Sequence, residues 1–229
     1  MPTFVTADIH GNYQALLQCL DRSKFNYDDD TLICLGDICD GYDRTYEVIE
    51  KLLEIKNLIV TIGNHDVWLL NFVRTGEIPS IWYYQGGNNT LRSYRRSLKV
   101  NDANDIKALF PASHRELLES AKLYHVAYKN SIFMHGGFDD CKPIETHSID
   151  DIVWNRDLCQ TALHRRINNF NRVYVGHTDV RYLYGNDDDL KPKFHNNLIM
   201  VDTGAGSNGK LTFLNVDTVT YVQSDIIKR

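Results

Sequence analysis

Apolar residues along the chain cluster in short runs, and most of these runs end in a polar turn rich in Asp, Asn, Gly or His. Phe4 to Ala7 is the first such run and predicts a buried strand, and behind it Tyr13, Leu16, Leu17 and Leu20 recur at helical spacing. The unit then repeats. Thr31 to Leu35 predicts a second strand, Val48, Ile49, Leu52 and Leu53 form the apolar stripe of a second helix, and Leu58 to Ile62 predicts a third strand. A β-α-β-α-β chain with right-handed crossovers carries parallel strands and brings all three strand-end turns to one edge of the sheet. Further strands are predicted at Ser131 to Met134, Arg172 to Val175, Leu198 to Val201, Leu211 to Val216 and Val219 to Val222, the last two forming a hairpin around Asp217-Thr218.

Between Asp66 and Ser131 the alternation stops. A helix-rich stretch of about 71–125, with a loop at Gly86-Gly87-Asn88-Asn89, reads as an insertion beside the turns, without a second core or a linker. Residues 1–229 are therefore expected to form one domain, and a 43% hydrophobic composition supports a real core. With 25 Lys+Arg against 30 Asp+Glu, the formal net charge of -5 excludes a general attraction to nucleic acid or anionic membrane. Five cysteines without a Cys-x-x-Cys pair indicate neither a disulfide framework nor a zinc ribbon. With no secretory leader and no membrane-length apolar run, the expectation is a cytoplasmic protein with no membrane partner. The acidic runs Asp28 to Asp30 and Asp187 to Asp189 lack the ligand spacing of an EF-hand loop and read as solvated turns.

The turns themselves carry the chemistry. Asp8-Ile9-His10-Gly11-Asn12, Gly36-Asp37-Ile38-Cys39-Asp40, Gly63-Asn64-His65-Asp66, His135-Gly136-Gly137 and Gly176-His177-Thr178 each place Asp, Asn or His just after a predicted strand. Two divalent cations about 3.5 to 4 Å apart need a shared carboxylate, hard oxygen donors and imidazoles. Asp8 and His10 suit one metal, Asp37 has two oxygens with which to bridge to the other, and Asn64, His135 and His177 complete the ligands of that second metal. Such a pair activates a bridging hydroxide for attack on a phosphate ester. An alkoxide leaving group also needs a proton. His65, next to Asn64, is the candidate acid, and Asp40 is its candidate partner, fixing the ring and its charge. No nucleophilic Cys or Ser motif is present, so no phosphoenzyme is expected, and Cys39 reads as a packing residue.

The ordered set Asp-x-His, Gly-Asp-x-x-Asp, Gly-Asn-His-Asp, His-Gly-Gly and Gly-His-Thr resembles the phosphoprotein phosphatase branch of the calcineurin-like metallophosphoesterases. Ile152-Val153-Trp154-Asn155-Arg156 and Met200-Val201-Asp202-Thr203-Gly204-Ala205 extend the resemblance, which is nearest the compact bacteriophage-type serine/threonine protein phosphatases and covers nearly the whole chain. It implies an α/β fold, a β-sandwich of two mixed sheets flanked by helices with the metals at one edge. It also implies Arg156 as a phosphate clamp, suited by its planar fork. The pattern departs from the family in one place: where Asp-Arg-Gly is usual, this chain reads Asp40-Gly41-Tyr42-Asp43-Arg44. Arg44 is then a candidate phosphate ligand displaced by three residues, or a surface residue pairing with Glu47 or Asp43.

The function expected is a manganese-dependent phosphatase, with Fe or Zn as alternative metals, acting on phosphoserine or phosphothreonine and by extension phosphotyrosine in proteins or peptides. The same family contains symmetrical dinucleoside-polyphosphate hydrolases. Trp82, Tyr83 and Tyr84, with Arg92, Tyr94, Arg95 and Arg96, would then stack on a base, or else grip a phosphorylated peptide, or simply pack a helix with a solvated arginine face. Phosphate-end processing of nucleic acid and a non-catalytic scaffold are the remaining alternatives. A scaffold is opposed by the complete ligand set, and His114, His125, His147, His164 and His195 read as structural.

Overall fold

The computed structural model describes residues 1–185 and 189–228. Strands β1 (Thr3–Thr6), β2 (Thr31–Cys34) and β3 (Asn57–Val60) pair in parallel, joined by helices α1 (Tyr13–Arg22) and α2 (Thr45–Leu53). After α3 (Asn64–Thr75) come α4 (Ser80–Trp82), a π-turn at Tyr83–Gly87, α5 (Asn88–Leu98), α6 (Ala103–Ala108) and α7 (Ala112–Ser120). The chain then forms β4 (Tyr124–Ala127), β5 (Ser131–Met134), α8 (Ile149–Val153), α9 (Asp157–His164), β6 (Arg172–Val175), α10 (Val180–Tyr184), β7 (Lys193–His195) and β8 (Leu198–Met200). The hairpin β9 (Thr212–Asn215) and β10 (Tyr221–Gln223) closes it. One sheet has the order β10-β9-β1-β2-β3 and the other β4-β5-β6-β8-β7, and each mixes parallel with antiparallel pairs.

Strand alternation builds the layers. Val5, Ile33, Phe133, Tyr174 and Ile199 point inward and form the core between the two sheets, where Phe133 and Tyr174 stack at 4.5 Å. Phe4, Leu32 and Cys34 point the other way, onto Leu16, Leu20 and Ile49 of α1 and α2. Ile132, Met134, Val173 and Val175 do the same against Ile152, Leu158 and Ala162 of α8 and α9. The edge strands β4 and β7, which carry Tyr-His-Val-Ala and Lys-Phe-His, escape the sequence pattern because neither buries a continuous face.

The inserted helices gather their own apolar cluster, around Phe72, Trp82, Leu91, Tyr94, Ile106, Phe110 and Leu118. This cluster is continuous with the body through Cys39, Ile62 and Val153, which pins the insertion to the second ligand turn. The expected loop at Gly86-Gly87-Asn88-Asn89 is instead a break between helices, with Gly86 at φ 115° and α5 starting at Asn88. Of the two acidic runs, Asp28 to Asp30 is a turn in which Asp30 is buried and accepts from the Asn26 amide, so that residue is not solvated. Of the other, Asp187 and Asp188 lie outside the described residues. No helix among the described residues is long and apolar enough to cross a membrane.

Candidate active site

The ligand turns converge as the parallel crossovers require. Asp8 follows β1, Asp37 follows β2, Asn64 and His65 open α3 after β3, His135 follows β5 and His177 follows β6, so both sheets deliver to one cleft of about 320 Å³. Asp8, His10, Asp37, Asn64, His65, Arg156 and His177 line it. Five residues of the group hold a left-handed backbone: Asp8 (φ 54°), His10 (49°), Asp37 (50°), Asp40 (70°) and His177 (60°). Such conformations cost roughly 1–3 kcal/mol each and persist where neighbours over-determine them. Here the first two turns are laced together, with the amides of Asp8, His10 and Gly11 donating to the carbonyls of Gly36, Asp37 and Ile38, and that of Tyr42 to His10.

The imidazoles are oriented from behind. His135 Nδ1 lies 2.7 Å from the Leu35 carbonyl and His10 Nδ1 lies 2.9 Å from that of Cys39, so in the neutral ring each Nδ1 carries the proton and each Nε2 lone pair is turned toward Asp37. His135 Nε2 meets Asn64 Oδ1 at 3.0 Å and Asp37 Oδ1 at 3.4 Å. His10 Nε2 meets Asp37 Oδ2 at 3.5 Å and Asp8 Oδ1 at 4.0 Å. His177 Nε2 is buried with no hydrogen-bond partner. The donor atoms gather in two groups that share Asp37, one with His10 and His65 and one with His135 and His177, and imidazole with carboxylate is a set that fits divalent metals. Electrostatics divides the imidazoles: burial, then the nearby Asp202 and Asp37, pushes the Asp8 carboxyl well up, and burial holds His10 down at about 4 and keeps His177 neutral, whereas at His135 the neighbouring Asp37 outweighs burial and raises the pKa.

His65 sits differently. Its Nδ1 donates to Asp40 Oδ2 at 2.6 Å, and its Nε2 side opens on the cleft, 4.0 Å from Asp37 Oδ2. Burial opposes its charged form, yet Asp37 and the Asp40 hydrogen bond outweigh that and lift its pKa to about 9. A cation beside Asp37 would offset the Asp37 contribution and leave that of Asp40. Arg156 lines the cleft beside His177, with Nη1 donating to the His177 carbonyl at 2.5 Å.

Arg44 is not brought into this group. Its Nε donates to Glu47 Oε1 at 3.1 Å, its guanidinium lies 4.4 Å from the Tyr13 ring centroid, and it borders a neighbouring groove with Arg92 and Lys228. The shift of three residues carries it past the cleft onto the start of α2. Trp82 is fully buried and donates to Asp40, so it offers no face to a base, and Tyr94 is buried too, against Phe110 and His114. Tyr83 and Tyr84 are exposed, and Arg96 pairs with Asp43 and Glu47. His114 lies between Tyr94 and Glu50, a structural histidine, and burial keeps the Cys39 thiol protonated.

Two residues near the site, Asp66 and Trp154, had no individual role from sequence. Asp66 is buried, its Oδ1 accepting from the Ile38 amide at 2.9 Å and its Oδ2 from that of Gly63 at 3.0 Å, which ties the second ligand turn to the third. The Gly-Asn-His-Asp motif contains it, but the spacing gives no sign of that bridge. Asp66→Ala is expected to lower stability by about 3 kcal/mol, since the buried amides of Ile38, Cys39 and Gly63 lose their acceptor. Thermal unfolding should show a Tm fall of roughly 6–12 °C, and a Tm within a degree of the parent would show that water replaces the carboxylate. Asp202, whose Oδ1 caps the Gly204 amide at 2.9 Å, satisfies its own turn and also borders the cleft. Trp154, 43% exposed, stands at the cleft edge 5.9 Å from the His177 ring.

The profile of calcineurin-like phosphoesterases matches residues 1–204. Among curated proteins, "Serine/threonine-protein phosphatase 2" of Salmonella typhimurium is 27% identical, the match covering 93% of this chain and 92% of that protein. "Bis(5'-nucleosyl)-tetraphosphatase PrpE [asymmetrical]" of Halalkalibacterium halodurans is 24% identical over 95% of this chain and 91% of its own. Among solved structures, the cold-active protein-tyrosine phosphatase of a psychrophilic Shewanella species superposes with a TM-score of 0.64 at 17% identity, covering 98% of this chain and 80% of that one, a likeness of fold.

Proposed function

The chain belongs to the calcineurin-like phosphoesterase family, and we propose that within it this protein removes phosphate from serine or threonine side chains of proteins, and from tyrosine by extension. Asp8, His10, Asp37, Asn64, His135 and His177 would hold two divalent cations, manganese by preference. When bound, these would neutralise the phosphoryl oxygens and lower the pKa of an attacking water. The chain's own residues do the rest. Arg156 binds a phosphoryl oxygen from the cleft wall, and its bond to the His177 carbonyl fixes the guanidinium. His65 gives its Nε2 proton to the leaving oxygen, while Asp40 holds the ring by Nδ1 and stabilises its charge before transfer.

The observation that carries this reading is the His65–Asp40 pair, 2.6 Å apart at the cleft. A serine alkoxide is too basic to leave without a proton, whereas a nucleotide leaving from a polyphosphate departs already stabilised as an anion. A positioned acid therefore favours the phosphoprotein. The likeness to the tetraphosphatase of H. halodurans supports a second reading, hydrolysis of dinucleoside polyphosphates. In that case Trp154, exposed at the cleft edge, is the aromatic face open to a base. The five cysteines without a disulfide framework support a cytoplasmic site of action, and the net charge of -5 gives no general attraction to nucleic acid.

Initial rates with added Mn²⁺ on a serine-phosphorylated peptide, a tyrosine-phosphorylated peptide, diadenosine tetraphosphate and a 3′-phosphorylated oligonucleotide test the assignment. The peptides are expected to be preferred. Preference for the dinucleotide, together with its loss in Trp154→Ala, would overturn the protein-phosphatase reading. Arg156→Ala is expected to lower kcat/KM on the phosphopeptide about 10- to 100-fold, the worth of roughly 1.5–3 kcal/mol in hydrogen bonds to a charged group. An unchanged kcat/KM would place phosphate binding elsewhere.

A further inference from the structure

Asp40 is held by a device that belongs to the insertion. Its carboxylate is buried, and both oxygens are engaged. Trp82 Nε1 lies 3.1 Å from Oδ1 and 2.9 Å from Oδ2, and Thr90 Oγ1 donates to Oδ1 at 2.7 Å. The same Thr90 oxygen accepts from the Asp40 amide at 2.8 Å. Because its proton goes to the carboxylate, the 3.1 Å contact with Thr45 Oγ1 must be donated by Thr45. One threonine thus grips Asp40 by backbone and side chain at once. The stretch between the two donors is shaped to allow this. A Cβ on Gly86 would lie 2.4 Å from the Gly41 amide nitrogen and 3.1 Å from Asp40 Cβ, and one on Gly87 would lie 2.6 Å from the Trp82 ring. Asn89 Nδ2 also donates to the Gly41 carbonyl. At φ 115°, Gly86 breaks the helix where it meets Asp40 and Gly41, so Trp82 and Thr90 approach from opposite ends of the break.

We propose that Trp82, Gly86, Gly87 and Thr90 form a clamp on Asp40, and that Trp82 and Thr90 are positioning residues for proton donation by His65. The inference rests on the assignment of His65 as the acid. Neither residue lines the cleft, so each acts through Asp40 alone. Without the donors the buried carboxylate would rotate toward whichever donor remains, and Nδ1 of His65 would lose its fixed partner. The consequence is selective, because proton donation matters for an alkoxide leaving group and hardly at all for a nitrophenolate.

The test compares Thr90→Val and Trp82→Phe with the parent on a serine-phosphorylated peptide and on p-nitrophenyl phosphate, with bound manganese measured for each. Each variant is expected to lose about 10- to 100-fold in kcat on the peptide, the usual effect of removing a group that orients a catalytic side chain. The same variants should lose less than about 3-fold on the aryl phosphate, with KM and metal content near those of the parent. Thr90→Ser, which keeps the hydroxyl, is expected to restore the peptide rate and guards against misfolding of the larger changes. Equal losses on both substrates would reduce the clamp to a structural role, and full activity on both would remove it. His65→Asn run alongside separates the causes. If it shows the substrate split and the clamp variants do not, the clamp alone fails, and if it lacks the split, the acid assignment fails and takes the clamp with it.

Discussion

Asp37→Asn should reduce turnover by about 10³-fold or more and strip the protein of metal, the largest loss expected of any single substitution here. The estimate follows from the several kcal/mol that metal-assisted charge stabilisation contributes, at a factor of ten per 1.36 kcal/mol. Asp37 stands between the lone pairs of His10 and His135, at 3.5 and 3.4 Å, and also accepts from the His65 amide at 3.0 Å. An amide keeps the size and one acceptor oxygen but removes the charge that two cations would share. The measurement is metal content of the purified variant beside its rate at saturating Mn²⁺, with circular dichroism to establish folding. Turnover near the parent's in a folded Asp37→Asn protein would mean that the cations are held without this carboxylate, and the ligand assignment would fall.

The second large effect belongs to the acid. His65→Asn is expected to lower kcat on a phosphoserine peptide by about 10²- to 10⁴-fold, the range of general acid catalysis, with bound metal unchanged. The separation from the metal effect is geometric. His65 uses Nδ1 on Asp40 at 2.6 Å and is not among the lone pairs oriented by Leu35 and Cys39. A large loss with the metal in place also disposes of the scaffold alternative, because a binding module has no turnover to lose. Loss of metal together with rate would instead make His65 a ligand, and the proton would have to come from elsewhere.

The repeat of strand, turn and helix was legible because parallel strands buried on both faces leave continuous apolar runs, and because each run ends at a polar turn. That alone set Asp8, Asp37 and Asn64 on one sheet edge. The edge strands β4 and β7 were illegible for the converse reason, since half-exposed strands carry no run. The insertion left two readings open, recognition of substrate or packing of a helix. Trp82 and Gly86-Gly87 have the composition of a binding loop, but their neighbours are Asp40 and Gly41, some forty residues earlier in the chain, and no local pattern encodes that distance.

Arg44 shows the same limit. Its place in the motif left it either a phosphate ligand displaced by three residues or a surface residue pairing with Glu47 or Asp43, and the start of a helix turns it onto Glu47 and the Tyr13 ring. The sequence by itself determined the chemistry available to this protein: ligand types, their order, and their position at strand ends, because those follow from residue identity and the period of burial. Only the tertiary structure decided what each group does with its neighbours: which imidazole nitrogen keeps its lone pair, which aspartates are bridged, and which tryptophan is buried on a carboxylate while another faces the cleft. These depend on contacts between residues far apart in sequence, whose distances are set by how the two sheets and the inserted helices pack.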